Sequence, residues 1–342
     1  MLFPKRLVFC GGGTRCLVFL QTLVDLESRT VLKNVNEYWG TSAGALLASL
    51  MAMNSSATRV MNLMYGTNFE RFRDIDVANI FGITSTWGFD DGKSLTREIE
   101  GLFEKVEVGA KDKCLRDIPS LNIVVADLNL HETVVVNKLT FPNMRVVDAV
   151  RASMSLPIFF KPYVNPENGH YWVDGAIRAH FPWDMLPHDT ARSEALGFAF
   201  EKTWTGGPRT FTEYLFSMIH FDEPKKVSAL KSDWNMNIIW YPAPPYPAWY
   251  MKLQDSDFLL INKLGREGTD YIIKLWAAPS SSRPERPVLL PPSVRPDIPL
   301  SACLPDRTDV SSGTPKPSPT PSPAPSPPQL PTIQHVSRRW SV

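Results

Sequence analysis

Two segments near the start of the chain share one order of parts: a short apolar run, a glycine-rich turn and a helix-forming stretch. The first runs from Leu7-Val8-Phe9-Cys10 through Gly11-Gly12-Gly13 into the apolar residues 17–27. The second runs from Glu37-Tyr38-Trp39 through Gly40-Thr41-Ser42-Ala43-Gly44 into a stretch rich in Ala, Leu and Met. Successive strand, turn and helix units are typical of α/β proteins. We therefore predict an α/β fold with a mostly parallel central sheet flanked by helices.

The first glycine turn is suited to holding a negative charge. Three successive glycines let the backbone turn sharply with its N–H groups exposed, and the positive end of the following helix points at the same place. A phosphate or an oxyanion fits such a site. The dinucleotide fingerprint G-x-G-x-x-G fits less well, because Gly11 and Gly13 match it but the third glycine is replaced by Cys16.

The second turn places Ser42 between a predicted strand and a predicted helix over residues 43–53. A serine flanked by small residues at such a junction indicates a nucleophile elbow, in which the strained turn pushes the hydroxyl out of the sheet. Serine is also a favoured helix N-cap, so the same residues are compatible with a purely structural role. This segment alone does not decide between the two.

A third element lies more than a hundred residues further along the chain. Asp174 follows the aromatic strand candidate Tyr171-Trp172-Val173 and precedes Gly175 and Ala176. Polar residues in loops after strands are commonly functional, although an Asp-Gly pair is also an ordinary turn. Asp174 is therefore a candidate base for Ser42.

Taken together, the motifs of this chain resemble those of the patatin-like phospholipase family. They are G-G-G-x-R at residues 11–15, G-x-S-x-G at 40–44, A-S-x-x-x-P-x-x-F-x-P at 152–162 and D-G-A at 174–176, in this order. Asp127-Leu128-Asn129, followed by a strand candidate at residues 133–136, looks like the segment that separates the elbow from the proline block in that family. The likeness covers about residues 5–182.

The resemblance implies a patatin-like three-layer fold and a lipid acyl hydrolase, a phospholipase or lipase that works through an acyl-serine intermediate. It implies Ser42 as nucleophile, Asp174 as direct base and the amides of Gly11, Gly12 and Gly13 as the oxyanion hole. The remaining motif residues are Arg15, Gly40, Gly44, Gly175 and Ala176. A free carboxylate is a weak base towards a hydroxyl, so Asp174 needs desolvation and a short hydrogen bond to Ser42.

Two positions depart from the family pattern. Cys16 stands where a glycine usually follows the arginine of the glycine loop, which puts the oxyanion geometry in doubt. His180 stands where the family normally has asparagine, which raises a conventional triad with Ser42 and His180 as an alternative to the dyad. A catalytically inactive protein that binds lipid in the same pocket is a third interpretation.

Composition and motifs limit the partners. The 342 residues carry a net charge of +1 and 43% hydrophobic residues, which gives no electrostatic reason to bind nucleic acid. We expect no cofactor and no metal, since no CxxC, HExxH or EF-hand pattern occurs, and hence calcium-independent hydrolysis. The expected substrate is a glycerophospholipid or an acylglycerol, met at a peripheral membrane surface.

The sequence also carries expectations about location. The N-terminal residues show no signal-peptide pattern and no apolar run is long enough to span a bilayer, so we expect an intracellular, cytoplasmic protein associated peripherally with membranes or lipid droplets. An aromatic cluster interleaved with prolines fits a core, or a patch at the membrane interface. Its members are Trp234, Trp240, Tyr241, Tyr246, Trp249 and Tyr250.

We divide the chain into a catalytic core at residues 5–182, a C-terminal part of the same globular domain at 183–278, and a tail at 279–342. The last globular element is an amphipathic helix over residues 255–276, interrupted around Gly265 and Gly268. The tail holds 17 of the 31 prolines, and its Pro/Ser alternation predicts disorder with polyproline II character. We expect a spacer, with docking of SH3 or WW modules as the alternative.

Overall fold

The computed structural model describes residues 3–74, 83–187, 189–201 and 237–278. The strands within these ranges are β1 (Arg6–Phe9), β2 (Glu37–Thr41), β3 (Gly88–Asp90), β4 (Leu121–Asp127), β5 (Glu132–Asn137), β6 (Ile158–Phe160), β7 (Tyr163–Val164), β8 (Tyr171–Asp174), β9 (Ala195–Glu201) and β10 (Ile238–Pro242). The helices are α1 (Val18–Ser28), α2 (Ala43–Ala52), α3 (Ala57–Tyr65), α4 (Ile83–Thr86), α5 (Lys93–Val106), α6 (Val146–Ser153), α7 (Ala176–Ala179), α8 (Asp189–Ser193) and α9 (Asp255–Ala277).

The strands build a mixed sheet of eight strands with a parallel centre. Its order is β10-β9-β1-β2-β4-β8-β7, and β5 also pairs with β4. The first five strands of this order are parallel, whereas β5 and β8 run antiparallel to β4 and β7 runs antiparallel to β8. β3 and β6 form a separate parallel pair. The predicted α/β fold with a mostly parallel central sheet is confirmed.

Burial explains why these segments are strands and helices. Every residue of β4 is buried, as expected of a strand covered on both faces of a sheet. The Ala- and Leu-rich α2 packs against β1, β2 and β4 and is buried over most of its length. The long α9 packs against α1 and β10. Among the described residues, no helix combines the length and apolarity needed to cross a bilayer.

The register of β4 sets up the candidate site. β2 runs parallel to β4 and ends with Thr41 opposite Val124. β8 approaches β4 from the other direction and ends with Asp174 opposite Val125. The ends of β2 and β8 therefore meet beside adjacent residues of one strand, and the residues that follow or end them are brought together.

The last helix differs from its prediction. α9 is continuous over Asp255–Ala277, so the predicted interruption around Gly265 and Gly268 is wrong. These glycines allow close packing instead, because a Cβ atom at Gly265 would lie 2.6 Å from the Cβ of Gln21 on α1. A Cβ atom at Gly268 would lie 2.6 Å from the ring of Tyr241 on β10. In addition, Thr22 donates a 2.7 Å hydrogen bond to the carbonyl of Gly265.

The aromatic cluster belongs mainly to the core. Four of its members are buried, namely Trp240, Tyr241, Tyr246 and Tyr250. Trp249 is half-buried and its ring stacks on Phe159, with 6.4 Å between the ring centroids. Trp234 lies outside the described residues. The core interpretation therefore holds for the four buried members, and Trp249 stays compatible with both interpretations.

Residues 279–342 lie outside the described residues, so the boundary after Ala278 stays a prediction. Truncation after Ala278 should leave Tm and turnover of a soluble short-chain ester nearly unchanged, because a Pro/Ser-rich segment cannot bury apolar area. The matched control is truncation after Gly268, which removes the buried Ile272, Leu275 and Trp276. That control should lower Tm by about 10 °C or more. A large drop in Tm for the first truncation would contradict the boundary.

Candidate active site

Ser42 occupies a strained turn between β2 and α2. Its backbone lies at φ 56° and ψ −129°, a region that residues with a side chain rarely adopt. The turn requires glycine on both sides: a Cβ atom at Gly40 would clash with the backbone of Gly44, and one at Gly44 with the carbonyl of Cys10. The sequence G-x-S-x-G thus produces the sharp elbow that the motif predicts.

The hydroxyl of Ser42 is hydrogen-bonded to a residue far away in the sequence and does not cap helix α2. Ser42 Oγ donates a 2.6 Å hydrogen bond to Oδ2 of Asp174, which is 132 residues away in the sequence. The side chain of Ser42 makes no capping hydrogen bond to α2. The N-cap interpretation therefore does not account for this serine.

Asp174 is buried and held from two further directions. Asp174 is only 3% exposed. Its Oδ1 accepts a 2.9 Å hydrogen bond from the amide of Ala176. Its backbone amide donates a 2.9 Å hydrogen bond to the carbonyl of Ser155. Burial raises the pKa of Asp174 to about 6, partly offset by the hydrogen bonds from Ser42 and Ala176 and by the nearby His180. A carboxylate with this pKa is a stronger base than an exposed one and is still ionised at neutral pH.

Ser153 supports the elbow, a role that the sequence did not reveal. Its Oγ accepts a 2.8 Å hydrogen bond from the backbone amide of Ser42 and donates a 2.7 Å hydrogen bond to the carbonyl of Val124. Ser153 is fully buried at the end of α6. It therefore ties the strained residue to the strand beneath it, and the sequence marked it only as the serine of the A-S-x-x-x-P-x-x-F-x-P segment.

Arg151 holds the proline block in place, a role that none of the sequence motifs indicates. It is buried, donates from Nη1 to Oγ of Ser155 and from Nη2 to the carbonyls of Lys161 (3.1 Å) and Asp91 (3.3 Å). The carbonyl of Ser155 in turn accepts the amide of Asp174. One buried arginine thus organises the segment that fixes the backbone of the candidate base.

The glycine loop lies next to Ser42 and has two amides available. The amide of Gly11 donates a 2.9 Å hydrogen bond to the carbonyl of His180. The amides of Gly12 and Gly13 donate to no group in the described part of the chain. These two glycines have positive φ angles, 152° and 58°, that favour glycine. Of the three predicted oxyanion donors, Gly11 therefore has its amide engaged by another group of the described residues, and Gly12 and Gly13 do not.

The rest of the loop is fastened to residues 246–250. Thr14 Oγ1 donates a 2.7 Å hydrogen bond to the carbonyl of Tyr250, and Arg15 Nε donates a 2.6 Å hydrogen bond to the carbonyl of Tyr246. A Cβ atom at Gly13 would clash with the carbonyl of Ala248. The arginine of the motif thus anchors the loop to a segment far away in the sequence.

Cys16 packs beneath the glycine loop. The residue is buried, and its Sγ lies 3.6 Å from the carbonyl of Cys10 as a weak donor. Burial raises the pKa of the Cys16 thiol far above its ordinary value, so the thiol stays neutral. Its sulfur would lie 3.2 Å from a Cβ atom at Gly12, which shows that it packs directly against the loop.

His180 lies close to the candidate nucleophile, and both are on the side of Gly11 to which a side chain would point. A Cβ atom placed on Gly11 would lie 3.1 Å from the imidazole Cδ2 of His180 and 3.3 Å from the Cβ of Ser42. The structure therefore brings His180 into the site, while the hydrogen bond of the Ser42 hydroxyl goes to Asp174. Across the described ranges, no three His, Cys, Asp or Glu side chains group together as metal ligands would.

Two known proteins are similar to this chain in sequence. The chain is 29% identical over 191 residues to triacylglycerol lipase 4 of Saccharomyces cerevisiae, covering 52% of this chain and 20% of the lipase. It is 23% identical over 198 residues to the uncharacterized protein R571 of Acanthamoeba polyphaga mimivirus, covering 57% of this chain and 65% of that protein. The chain thus spans less than two thirds of either relative.

A solved structure supports the fold. The crystal structure of VipD from Legionella pneumophila superposes with a TM-score of 0.53 and 17% sequence identity, covering 80% of this chain and 67% of VipD. The sequence model of the patatin-like phospholipases matches residues 7–187, which include the glycine loop, the elbow, the proline block and Asp174. The chain belongs to the patatin-like phospholipase family.

Proposed function

We propose that this chain is a lipid acyl hydrolase that cleaves fatty-acyl esters with Ser42 as nucleophile and Asp174 as direct base. The observation that carries the proposal is the 2.6 Å hydrogen bond from Ser42 Oγ to the buried carboxylate of Asp174. Membership of the patatin-like phospholipase family supports the reaction class.

The first half of the reaction forms an acyl-enzyme. Asp174 takes the proton of Ser42 as Oγ attacks the ester carbonyl, and the amides of Gly12 and Gly13 stabilise the resulting oxyanion. The tetrahedral intermediate collapses, the C–O bond to the alcohol breaks, and the alcohol leaves with the proton from Asp174. Ser42 remains as a fatty-acyl ester.

The second half releases the acid. Water attacks the acyl carbonyl and gives a proton to Asp174, the oxyanion forms again in the same place, and the bond to Ser42 Oγ breaks as Oγ takes that proton back. Each step uses groups that are already in place. The dyad itself needs no Lewis acid, so we propose that hydrolysis is independent of calcium.

The proposed substrates are glycerophospholipids or acylglycerols. One relative is named a triacylglycerol lipase, and a chain with a net charge of +1 has no electrostatic preference for polyanions. Such substrates are found in membranes or lipid droplets, so we propose a peripheral membrane surface as the partner.

Fatty-acid release tests the proposal. Purified full-length protein, given mixed micelles of phosphatidylcholine or triacylglycerol in the presence of EDTA, should release fatty acid that added calcium does not increase. The matched control is the Ser42→Ala protein in the same micelles. No release above this control from either lipid, in a preparation that is folded by circular dichroism, would contradict the proposal.

The pH dependence of the reaction should follow Asp174. With a pKa of about 6 in the free enzyme, the base is ionised above this pH and protonated below it. We expect kcat/KM on a neutral short-chain ester to rise with pH and level off above about 7, falling to about a tenth of the plateau near pH 5. Circular dichroism at pH 5 controls for unfolding. Activity that falls as pH rises through 6 would contradict Asp174 as base.

Ser153→Ala should slow the chemical step more than it destabilises the fold. The change leaves the amide of Ser42 and the carbonyl of Val124 without their shared partner, so the elbow can shift. We expect kcat to fall by about 10- to 100-fold, since small misplacements of a nucleophile have effects of this size. Ser49→Ala is the matched control, because Ser49 is equally buried and donates a 2.7 Å hydrogen bond to the carbonyl of Ala45. Equal losses of kcat in both variants would exclude a positioning role for Ser153.

A further inference from the structure

A row of exposed apolar side chains crosses the edge of the sheet. Val164 of β7 pairs directly with Tyr171 of β8, and the amide of Leu128, just after β4, donates a 2.9 Å hydrogen bond to the carbonyl of Tyr171. Residues directly opposite each other in antiparallel strands have their side chains on the same face. Val164 and Tyr171 therefore lie side by side on one face, and the backbone hydrogen bond places Leu128 next to Tyr171.

Two further residues extend this row. The ring of Trp87 packs edge-on against Tyr171, with 5.4 Å between the centroids, and Leu130 lies in the same turn as Leu128. We call these five residues the edge patch: Trp87, Leu128, Leu130, Val164 and Tyr171. Each is between 36% and 55% exposed, although such side chains are usually buried. Exposed apolar side chains grouped at one edge of a sheet are a candidate interaction site.

A buried carboxylate holds the turn that presents the two leucines. Asp127 is buried, and its Oδ1 accepts hydrogen bonds from the amides of Asn129 (2.8 Å) and Leu130 (3.0 Å). Its Oδ2 accepts from Nδ1 of His170 (2.8 Å) and Nε1 of Trp172 (2.9 Å). A fully satisfied buried carboxylate thus fixes the turn with both leucines exposed, so their exposure is a built feature of the fold.

The edge patch lies at the same end of the sheet as Ser42. β2 and β4 are parallel, Ser42 follows the end of β2, and Leu128 follows the end of β4. Tyr171 precedes Asp174 by three residues on β8, a separation of roughly 10 Å along the strand. Because side chains alternate along a strand, Tyr171 and Asp174 point to opposite faces of β8, so the edge patch shares the end of the sheet with the candidate active site and not its face.

The chemistry of the edge patch fits a lipid bilayer. Tryptophan and tyrosine favour the headgroup layer, and valine and leucine favour the acyl region below it. None of the five side chains is charged. Pairing with a second copy through strand addition is disfavoured, because β7 at this edge is only two residues long.

We propose that the edge patch inserts into the surface of a phospholipid bilayer and seats the active-site end of the sheet against it. The inference rests on the proposed lipid hydrolase function, since that function places the substrate in the bilayer. Insertion relies on apolar contact, so binding needs neither anionic lipid nor low salt.

Vesicle flotation tests this with protein that cannot consume the vesicle. The full-length Ser42→Ala chain is mixed with phosphatidylcholine vesicles and compared with the same chain carrying Trp87→Ala and Leu128→Ser. We expect the two substitutions to lower partitioning into the vesicles by about tenfold or more. Binding should persist in about 0.5 M salt, where charge interactions are screened within a few ångströms.

Matched controls separate this from other effects. Val108→Ser and Leu139→Ser remove side chains that are 90% and 81% exposed outside the edge patch, and they should leave partitioning unchanged. In chains that keep Ser42, Trp87→Ala and Leu128→Ser should leave turnover of a soluble short-chain ester unchanged, which shows that the fold and the site are intact.

The outcomes for the edge patch and for the proposed function are distinct. Equal flotation with and without the edge-patch substitutions, or flotation that is lost in salt, would overturn the proposal that the edge patch binds the membrane, even if the enzyme hydrolyses lipid. The same proposal is also overturned if the Ser42→Ala chain does not float, or if the edge-patch substitutions change only its oligomeric state. Loss of flotation in a chain that hydrolyses no ester would leave the surface supported and the proposed function refuted.

Discussion

Replacing Ser42 with alanine should abolish both labelling by a fluorophosphonate probe and the release of fatty acid. The change removes the nucleophile that is hydrogen-bonded to Asp174, so turnover should fall by about 10⁴-fold or more. The fold should survive, because the change deletes one oxygen from a half-buried side chain. Labelling and hydrolysis are measured on the same purified preparations.

A second variant at this position separates loss of chemistry from loss of structure. Ser42→Gly should be as inactive as Ser42→Ala, but glycine relieves the positive φ of 56° that alanine retains. We therefore expect the glycine variant to have at least the Tm of the alanine variant. Labelling that persists in either variant would place the nucleophile elsewhere in the chain.

Asp174→Asn should remove nearly all activity, whereas His180→Asn should retain most of it. An amide cannot accept the proton of Ser42, so loss of the carboxylate removes the base. The backbone carbonyl of His180 accepts the hydrogen bond from the amide of Gly11, and an asparagine at this position keeps that carbonyl. Asparagine is also the usual residue of the family here. kcat of both variants is measured on one soluble short-chain ester.

Stability provides an independent check on Asp174→Asn. Burial raises the pKa of Asp174 to about 6 from an ordinary 3.8, so the folded state holds this proton more tightly than the unfolded state. The contribution of Asp174 to wild-type stability should therefore fall as pH rises from about 4 to 6, by a total of about 3 kcal/mol, and then stay level. The asparagine variant lacks this loss. It should be inactive yet at least as stable as the wild type at pH 7.5, by urea unfolding.

The conventional triad predicts the opposite order of effects. If His180 were the base, His180→Asn would lose several orders of magnitude in kcat, as removal of a triad member does. A His180→Asn enzyme as inactive as Ser42→Ala would refute the Ser42–Asp174 dyad. A chain that never labels or hydrolyses, although the dyad is formed, would instead favour the lipid-binding interpretation.

The local parts of the site were predictable from sequence because short-range sterics determine them. Gly40 and Gly44 are glycines because the elbow brings the backbone of the next turn against them. The strand before Asp174 could be recognised from Tyr171-Trp172-Val173, and the structure has β8 there. In both cases the information lies within a few residues of the feature.

Contacts between distant segments could not be predicted in the same way. Nothing near Ser153 in the sequence indicates that its hydroxyl bridges Ser42 and Val124, which lie 111 and 29 residues away. The carbonyl that occupies the amide of Gly11 belongs to His180, and this also depends on tertiary packing. The helix break predicted at Gly265 was wrong for the same reason. The residue that requires a glycine there, Gln21, lies on another helix and far away in the sequence.

Catalysis by the Ser42–Asp174 dyad requires Ser42 to become acylated during turnover. The most direct test is to quench the full-length enzyme in acid during steady-state hydrolysis of a p-nitrophenyl fatty-acyl ester and to map the protein by mass spectrometry. We expect an acyl adduct on the peptide that contains Ser42 in the wild type and in His180→Asn, with none in Ser42→Ala. An adduct on another residue, or steady hydrolysis in Ser42→Ala, would contradict the proposed mechanism.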